Sequence, residues 1–297
     1  MASLVKDLVE AGIHFGHRST NWNPKMAPYI FGKRNKIHII DVKETIKGLL
    51  LARKFITRTV AGGKDVLFVG TKRQARSILE KHVSEVGMHY VTERWLGGTL
   101  TNFRTIRDRL KRLEELEHIA ESGQINNYSK KMESQLNREK AKILRNLEGI
   151  RHMTKLPGAM VIIDVHHEEN AVKEARKLGI PTVCLIDTDS DPDWADIPIP
   201  GNDDAMRAIE VIVQSLCAAA AEGKTARAQS AESKDDQVAG AAGGAGQGER
   251  RPRRGSRPPT RGAAAEGETS AELEPTKGSP ELTDAIKENE PAEAAQG

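Results

Sequence analysis

The sequence contains little cysteine, few aromatic residues and no long apolar run. Two cysteines occur in 297 residues, and aromatic side chains make up 4% of the chain. No stretch approaches the roughly 20 consecutive apolar residues of a membrane-spanning helix. The first twelve residues carry charges instead of the apolar centre of a signal peptide. These absences predict a cytoplasmic protein without membrane contact.

The two cysteines lie in apolar surroundings, Cys184 in a segment typical of a strand and Cys217 in a helical pattern. Neither belongs to a CxxC pair, and no histidine stands at zinc-finger spacing. We therefore expect both to be buried, reduced core residues.

Charge is distributed unevenly along the chain. Residues 1–156 carry 30 basic and 16 acidic side chains, a net charge of +14, whereas residues 157–222 carry 4 and 13, a net charge of −9. Residues 223–297 add −2, which leaves +3 overall. A basic first part and an acidic last part indicate a nucleic acid as one partner and a cationic surface as another. Unequally solvated surfaces are the plainer alternative.

Short apolar segments typical of strands alternate with helical patterns. The strand segments are 36–41, 65–69, 89–92, 159–164 and 182–187. The helical patterns are 42–61, 72–86, 168–178 and 203–221. This alternation predicts an α/β fold with a doubly wound, mainly parallel sheet covered by helices on both faces.

Residues 99–154 interrupt the alternation. Phe103, Ile106 and Leu110 recur at spacings of three and four, a second apolar series runs from Met132 to Ile150, and a turn lies between them. The pattern predicts an antiparallel coiled-coil hairpin inserted into an α/β domain of residues 1–98 and 155–222.

Residues 223–297 are dominated by Ala, Gly, Glu, Arg, Pro and Ser. Such a composition buries too little apolar surface to offset the entropy of ordering, so we expect a disordered tail. Its arginines at 250–254 indicate either nonspecific RNA contacts or a solubilising extension.

Three segments carry residue types suited to RNA. In 14–36 basic residues alternate with aromatic ones; Trp22, Tyr29 and Phe31 could stack on bases, although anchoring the segment to the core is the preferred interpretation. In 94–107 a Gly-Gly turn with free amides precedes a helix, as in an anion site. In 70–73 a strand ends in Gly-Thr-Lys-Arg without a nucleotide-binding fingerprint. The predicted RNA-binding residues are Arg18, Lys25, Lys33, Arg34, Lys36, Lys72, Arg73, Arg94, Arg104 and Arg107.

A metal site is predicted at the carboxyl edge of the sheet, where Asp187 ends a strand and Asp203 and Asp204 begin the last helix. With His17 these carboxylates suit zinc, or magnesium if water completes the shell. Helix and turn capping by the aspartates, with His17 as a core residue, is the alternative.

Several segments together resemble the bacterial ribosomal protein S2 family. They are His14-Phe15-Gly16-His17, 22–26, 31–41, 67–73, 94–102, 178–181, 187–192 and 199–204. The resemblance spans the folded body but not the tail, about which it implies nothing.

This resemblance implies a flavodoxin-like domain with an inserted coiled-coil hairpin. It implies a structural protein of the small ribosomal subunit that binds 16S ribosomal RNA at the head and body junction and helps to anchor ribosomal protein S1. It also implies neighbouring small-subunit proteins as partners, and neither catalysis nor a nucleotide or other small-molecule substrate. A nucleotide-binding enzyme or sensor with the same fold is the rival class.

Overall fold

The computed structural model describes residues 2–123 and 128–243, with side chains over 5–123 and 128–229. Its helices are α1 (Ala2–Glu10), α2 (Val42–Ala61), α3 (Arg73–Val86), α4 (Phe103–Glu121), α5 (Lys130–Leu147), α6 (Glu169–Leu178) and α7 (Met206–Gly243). Its strands are β1 (Phe15–Arg18), β2 (Ile30–Arg34), β3 (Ile37–Ile40), β4 (Val66–Val69), β5 (His89–Val91), β6 (Ala159–Ile163), β7 (Thr182–Ile186) and β8 (Ile197–Pro200). None of the described helices is both long and apolar enough to cross a membrane.

Five strands form a parallel sheet in the order β5-β4-β6-β7-β8. The chain starts this sheet near its middle at β4, adds β5 on one side and then continues through β6, β7 and β8 on the other. That order is the doubly wound, flavodoxin-like one, so the predicted fold class is confirmed. The carboxyl ends of the strands consequently meet at one edge, called the carboxyl edge below.

The prediction from the sequence was wrong for one strand of this sheet. Segment 36–41 forms β3, which pairs antiparallel with β1 and β2 in a separate three-stranded sheet. The fifth parallel strand is β8, which was missed because its Pro198 and Pro200 argue against a strand. Proline lacks a backbone N–H but is tolerated at a sheet edge, and β8 occupies that edge.

Side chains from alternate positions of the strands enter two cores. Val66 and Phe68 pack on one face with α2, α3 and α7. Leu67 and Val69 pack on the other face with residues of α4, α5 and α6. Burial on both faces explains why these strands are apolar throughout.

The inserted helices share their apolar seam with the second of these cores. The buried seam residues are Ile106, Leu110, Leu113, Leu116, Ile143 and Leu147. Towards the connecting turn the seam opens, since Met132 is 44% exposed. An ion pair of 3.5 Å between Arg112 and Glu139 links α4 to α5. A helical insertion is thus present, whereas its coiled-coil geometry stays a prediction.

Helix α7 extends beyond the predicted end of the folded body at residue 222. Gly223 packs against Val60 of α2, and the Lys224 ammonium donates to the carbonyl oxygens of Val86 and Gly87 at 2.6 and 2.9 Å. These contacts close the carboxyl end of α3. Alanine has the highest helix propensity, and the alanine-rich sequence explains the continuation to Gly243. The tail from 244 lies outside the described residues, and its disorder stays a prediction.

Cys184 on β7 and Cys217 on α7 are both free and buried, as predicted. Burial raises the pKa of each thiol to about 12. Neither thiol is therefore a nucleophile near neutral pH.

Candidate nucleic-acid interface

Three predicted RNA-binding residues converge at the tip of the three-stranded sheet. Arg18 on β1 and Arg34 on β2 both pair with Ile37 on the central strand β3. Lys36 lies in the turn between β2 and β3, and its carbonyl oxygen accepts a hydrogen bond from the N–H of Ser19. All three basic side chains are exposed, and none has a partner among the residues the structure describes. We call Arg18, Arg34 and Lys36 the basic tip.

The turn that carries the basic tip has an unusual backbone. Asn35 and Lys36 have φ values of 49° and 63°, as the two-residue turn of a tight β-hairpin requires. Asparagine tolerates this left-handed region, but its second position normally holds glycine. A lysine there costs about 1–2 kcal/mol of backbone strain. Position 36 therefore carries a charged side chain although the turn favours glycine there.

Three other predicted RNA-binding residues are engaged within the protein. The ammonium of Lys25 lies 2.8 Å from Asp191, and the guanidinium of Arg107 donates to the carbonyl oxygen of Thr154. Lys72 is 17% exposed and pairs with carboxylates at the carboxyl edge. The charge of Lys72 is thus already compensated within the protein, and its contact with RNA stays a prediction.

The remaining predicted RNA-binding residues are exposed and have no partner within the described parts of the chain. They are Lys33, Arg73, Arg94 and Arg104. Arg94 and Arg104 flank the turn that the sequence predicted as an anion site.

That turn does bind an anion, but the anion belongs to the protein. The carboxylate of Glu174 on α6 accepts hydrogen bonds from the backbone N–H groups of Gly98, Leu100 and Thr101 at 2.8, 3.0 and 3.1 Å. The indole of Trp95 donates to the same carboxylate at 3.0 Å. Although partial burial opposes it, these donors lower the pKa of Glu174. The predicted phosphate site is therefore filled from within, and the turn is held rigid.

A carboxylate of the protein also takes the place of a bound anion after β4, where doubly wound proteins often bind a nucleotide phosphate. Glu168, at the start of α6, accepts hydrogen bonds from the backbone N–H and the hydroxyl of Thr71 at 2.7 and 2.5 Å. Burial raises the pKa of Glu168, and the Thr71 donors oppose that rise. Sequence reasoning missed both glutamates because an acidic residue at the start or in the middle of a helix carries no marker of its distant partner.

The carboxyl edge gathers most of the residues predicted to bind a metal. One ligand atom each from His17, Asp187 and Asp203 lies within 4.8 Å of the others. His17 Nδ1 is 2.9 Å from an Asp187 oxygen, and His17 Nε2 is 3.7 Å from Asp204. Asp203 is 1% exposed, and its Oδ2 has no hydrogen-bond partner in the described structure.

Lys72 supplies a cation to this edge that the sequence did not reveal. Its ammonium lies 2.7 Å from both Asp203 and Asp204 and 3.2 Å from Asp164. The carboxylates are consequently compensated in part from a distant segment. The nearby Asp187 carboxylate raises the pKa of His17 to about 9, with burial opposing. Burial and the charges of Asp164 and Asp187 raise the pKa of Asp203 to about 8, with Lys72 opposing.

An apolar patch lies on the three-stranded sheet and the neighbouring helix α1. Phe31 is 78% exposed, Phe15 is 47% exposed and Val9 is 43% exposed. Phe31, Val9 and Ile39 line a cavity of about 320 Å³. We call Val9, Phe15, Phe31 and Ile39 the apolar patch.

The preferred prediction that aromatic residues anchor the amino-terminal segment is therefore wrong for Phe31. Trp22 is 37% exposed, but its ring lies 5.0 Å from that of the buried His38, so its anchoring role stays a prediction. Only Tyr29 packs against the second core.

The fold and these surfaces describe a doubly wound α/β protein. Its own glutamates, Glu168 and Glu174, occupy the two loop sites at which an anion could bind. The model of the family described as Ribosomal protein S2 matches residues 8–223. Small ribosomal subunit protein uS2 of Rhodopirellula baltica is 59% identical over 221 residues, which are 74% of this chain and 85% of that protein. The protein of the same name from Solidesulfovibrio magneticus is 52% identical over 219 residues, again 74% and 85% of the two chains.

The chain belongs to the ribosomal protein S2 family. This membership confirms the resemblance and the prediction that the chain is not an enzyme.

Removing the internal anion should destabilise the protein. We expect Glu174→Ala to lower the free energy of unfolding by about 2 kcal/mol, and Glu174→Gln by about half of that, since the amides lose a charged acceptor. Because the pKa of Glu174 is lowered on folding, its contribution is present above the ordinary value of 4.5 and is lost as the pH falls. Urea unfolding at pH 7 and pH 4 measures both effects.

The matched control is Glu169→Ala, which removes an exposed glutamate of the same helix that pairs only with Lys173. It should change stability by less than about 0.5 kcal/mol. Equal stabilities for the Glu169 and Glu174 variants would contradict the proposed role of Glu174.

Proposed function

We propose that the chain is a structural component of the cytoplasmic small ribosomal subunit that binds 16S ribosomal RNA near the head and body junction. Family membership and the names of the relatives support the place in the subunit. The observation that carries RNA binding is the basic tip, where Arg18, Arg34 and Lys36 meet with uncompensated charge. Three cations at one end of a three-stranded sheet suit phosphates of folded RNA.

The strained backbone of the tip supports the same proposal. Glycine at position 36 would relieve the left-handed conformation, yet the chain keeps lysine there. An observed outlier of this kind points to a functional contact. Lys33, Arg73, Arg94 and Arg104 are further candidates for phosphate contacts because their charges are also free.

Charge reversal at the basic tip should weaken RNA binding without unfolding the protein. The variant carries Arg18→Glu, Arg34→Glu and Lys36→Glu. Each lost phosphate contact lowers the slope of log affinity against log salt by about 1, so the slope should fall by about 3. Filter binding to 16S ribosomal RNA across salt concentrations measures this slope, and circular dichroism checks the fold.

The control variant has the same change of charge on helices α2 and α3, at Lys54, Arg58 and Lys81. These side chains are exposed and have no partner among the described residues. A basic-tip variant that kept the salt slope of this control would sink the proposal.

We further propose that the apolar patch and the carboxyl edge together anchor ribosomal protein S1. An exposed phenylalanine beside a cavity is typical of a surface that another protein covers. Strand β1 connects the two surfaces, since Phe15 lies in the patch while His17 lies at the edge. The negative charge of the edge then adds electrostatic selection to apolar contact.

Replacing Phe31 by serine should release ribosomal protein S1 from reconstituted subunits. Loss of a buried aromatic anchor typically weakens a complex by 10-fold or more. Co-sedimentation of the two proteins with the small subunit measures the loss. Leu51→Ser is the control, because Leu51 is 56% exposed on α2. If both variants retained ribosomal protein S1 equally, the patch would not be its anchor.

We also propose that His17, Asp187 and Asp203 bind a divalent cation, with Asp204 or water completing the shell. One imidazole and two or three carboxylates suit zinc better than magnesium, which prefers oxygen ligands and several waters. The buried Oδ2 of Asp203, which has no hydrogen-bond partner in the described structure, supports a cation ligand at this position. Lys72 shares the same carboxylates and therefore competes with the metal.

Zinc at about 100 times its Kd should stabilise the folded protein by about 2.7 kcal/mol. We expect the melting temperature of the chelator-treated protein to rise by several degrees on zinc addition. The rise should vanish in His17→Ala, persist in the control His118→Ala and grow in Lys72→Met, since the competing charge is gone. If zinc raised the melting temperature equally in the His17→Ala and His118→Ala variants, the metal site would be refuted. The aspartates would then act only as helix and turn caps.

A further inference from the structure

A cleft lies between the two inserted helices and the rigid turn that precedes them. Its volume is about 550 Å³, and it extends from Leu96 in the turn to Arg109 on α4 and Asn146 on α5. Volumes of roughly 300–1,000 Å³ are typical of sites that enclose a small organic group. The cleft is separate from the basic tip, the carboxyl edge and the apolar patch.

The rim of the cleft is basic. Arg109, Arg138 and Lys142 line it, against a single acidic residue, Glu139. Glu139 already pairs with Arg112, whereas Arg109 and Lys142 have no partner in the structure described. Arg138 makes only local hydrogen bonds to Ser134 within α5. The free charge of the cleft is therefore positive and suits an anion.

The floor of the cleft differs in chemistry from its rim. Leu96 and the buried side chains of the seam present an apolar surface, and the amide of Asn146 offers a donor and an acceptor beside it. The turn that holds Leu96 cannot retreat, because Glu174 binds three of its backbone N–H groups. The cleft thus exists before a ligand arrives.

From this arrangement we propose that the cleft binds one unpaired nucleotide of RNA. The base lies on the apolar floor with its edge at Asn146, and its phosphates contact Arg109 and Lys142. A flat apolar face, a polar edge and an adjoining negative charge occur together in an unpaired nucleotide. Base-paired RNA presents phosphates but hides its base faces, so a duplex could use only the rim. The inference rests on the proposed binding of 16S ribosomal RNA and adds where, and in which form, RNA is held.

Two variants separate the contacts with phosphate from the contact with the base. Arg109→Ala combined with Lys142→Ala removes rim charge, and we expect about 10-fold weaker binding of 16S ribosomal RNA. For a single strand the salt slope should fall by about 0.7 for each lost cation, about 1.4 in total. Leu96→Ala removes part of the floor and should weaken binding with an unchanged salt slope. Lys131→Ala combined with Lys140→Ala, which removes the same charge from α5 outside the cleft, is the control.

Chemical probing of the 2′-hydroxyl groups in complexes with the full chain locates the bound nucleotide. The wild-type chain and the control should protect one unpaired nucleotide that both cleft variants leave reactive. Unchanged protection in the cleft variants, or protection confined to duplex, would overturn this inference while leaving RNA binding intact. A wild-type chain that protected no nucleotide of 16S ribosomal RNA would overturn the proposed function as well.

Discussion

Two carboxylates at helix α6 accept hydrogen bonds from backbone amides in the loops that follow β4 and β5. Glu168 accepts from Thr71 after β4, and Glu174 accepts from the turn at Gly98 to Thr101. In related folds a nucleotide phosphate commonly takes such a place. Here two carboxylates of the protein itself accept the hydrogen bonds of these loops. The fold is thereby free to act as a scaffold.

The internal ion pairs also divide the surface by charge. Lys72 and Lys25 pair with aspartates of the later segments, whereas Arg18, Arg34 and Lys36 keep free positive charge among the described residues. The inserted helices sit close to the sheet at Gly149, where an added Cβ would lie 2.2 Å from the carbonyl oxygen of Tyr90. Such an approach fixes the direction in which α5 leaves the body. Charge and shape are consequently set by the same few contacts.

The sequence predicts the fold well where one physical signal dominates. The bounds of α2 and the positions of β4, β6 and β7 follow from hydrophobic periodicity and from their length. Strand β8 cannot be predicted in this way, because its prolines are tolerated only in an edge strand. Which strand lies at the edge is known only once the whole sheet has formed. His17, Asp187 and Asp203, the residues predicted to bind a metal, do come together, since the topology brings strand ends to one edge. The partners of Lys72, Glu168 and Glu174 are unpredictable because they depend on side-chain reach across the fold.

The two buried thiols make the chain convenient for spectroscopy. Cys184 and Cys217 are its only cysteines, and the high pKa of each keeps the reactive thiolate scarce. A single cysteine introduced on the surface would therefore carry a fluorophore without background labelling. Distances between such a dye and labelled RNA could then be followed in real time while a subunit assembles, with the native core left unaltered.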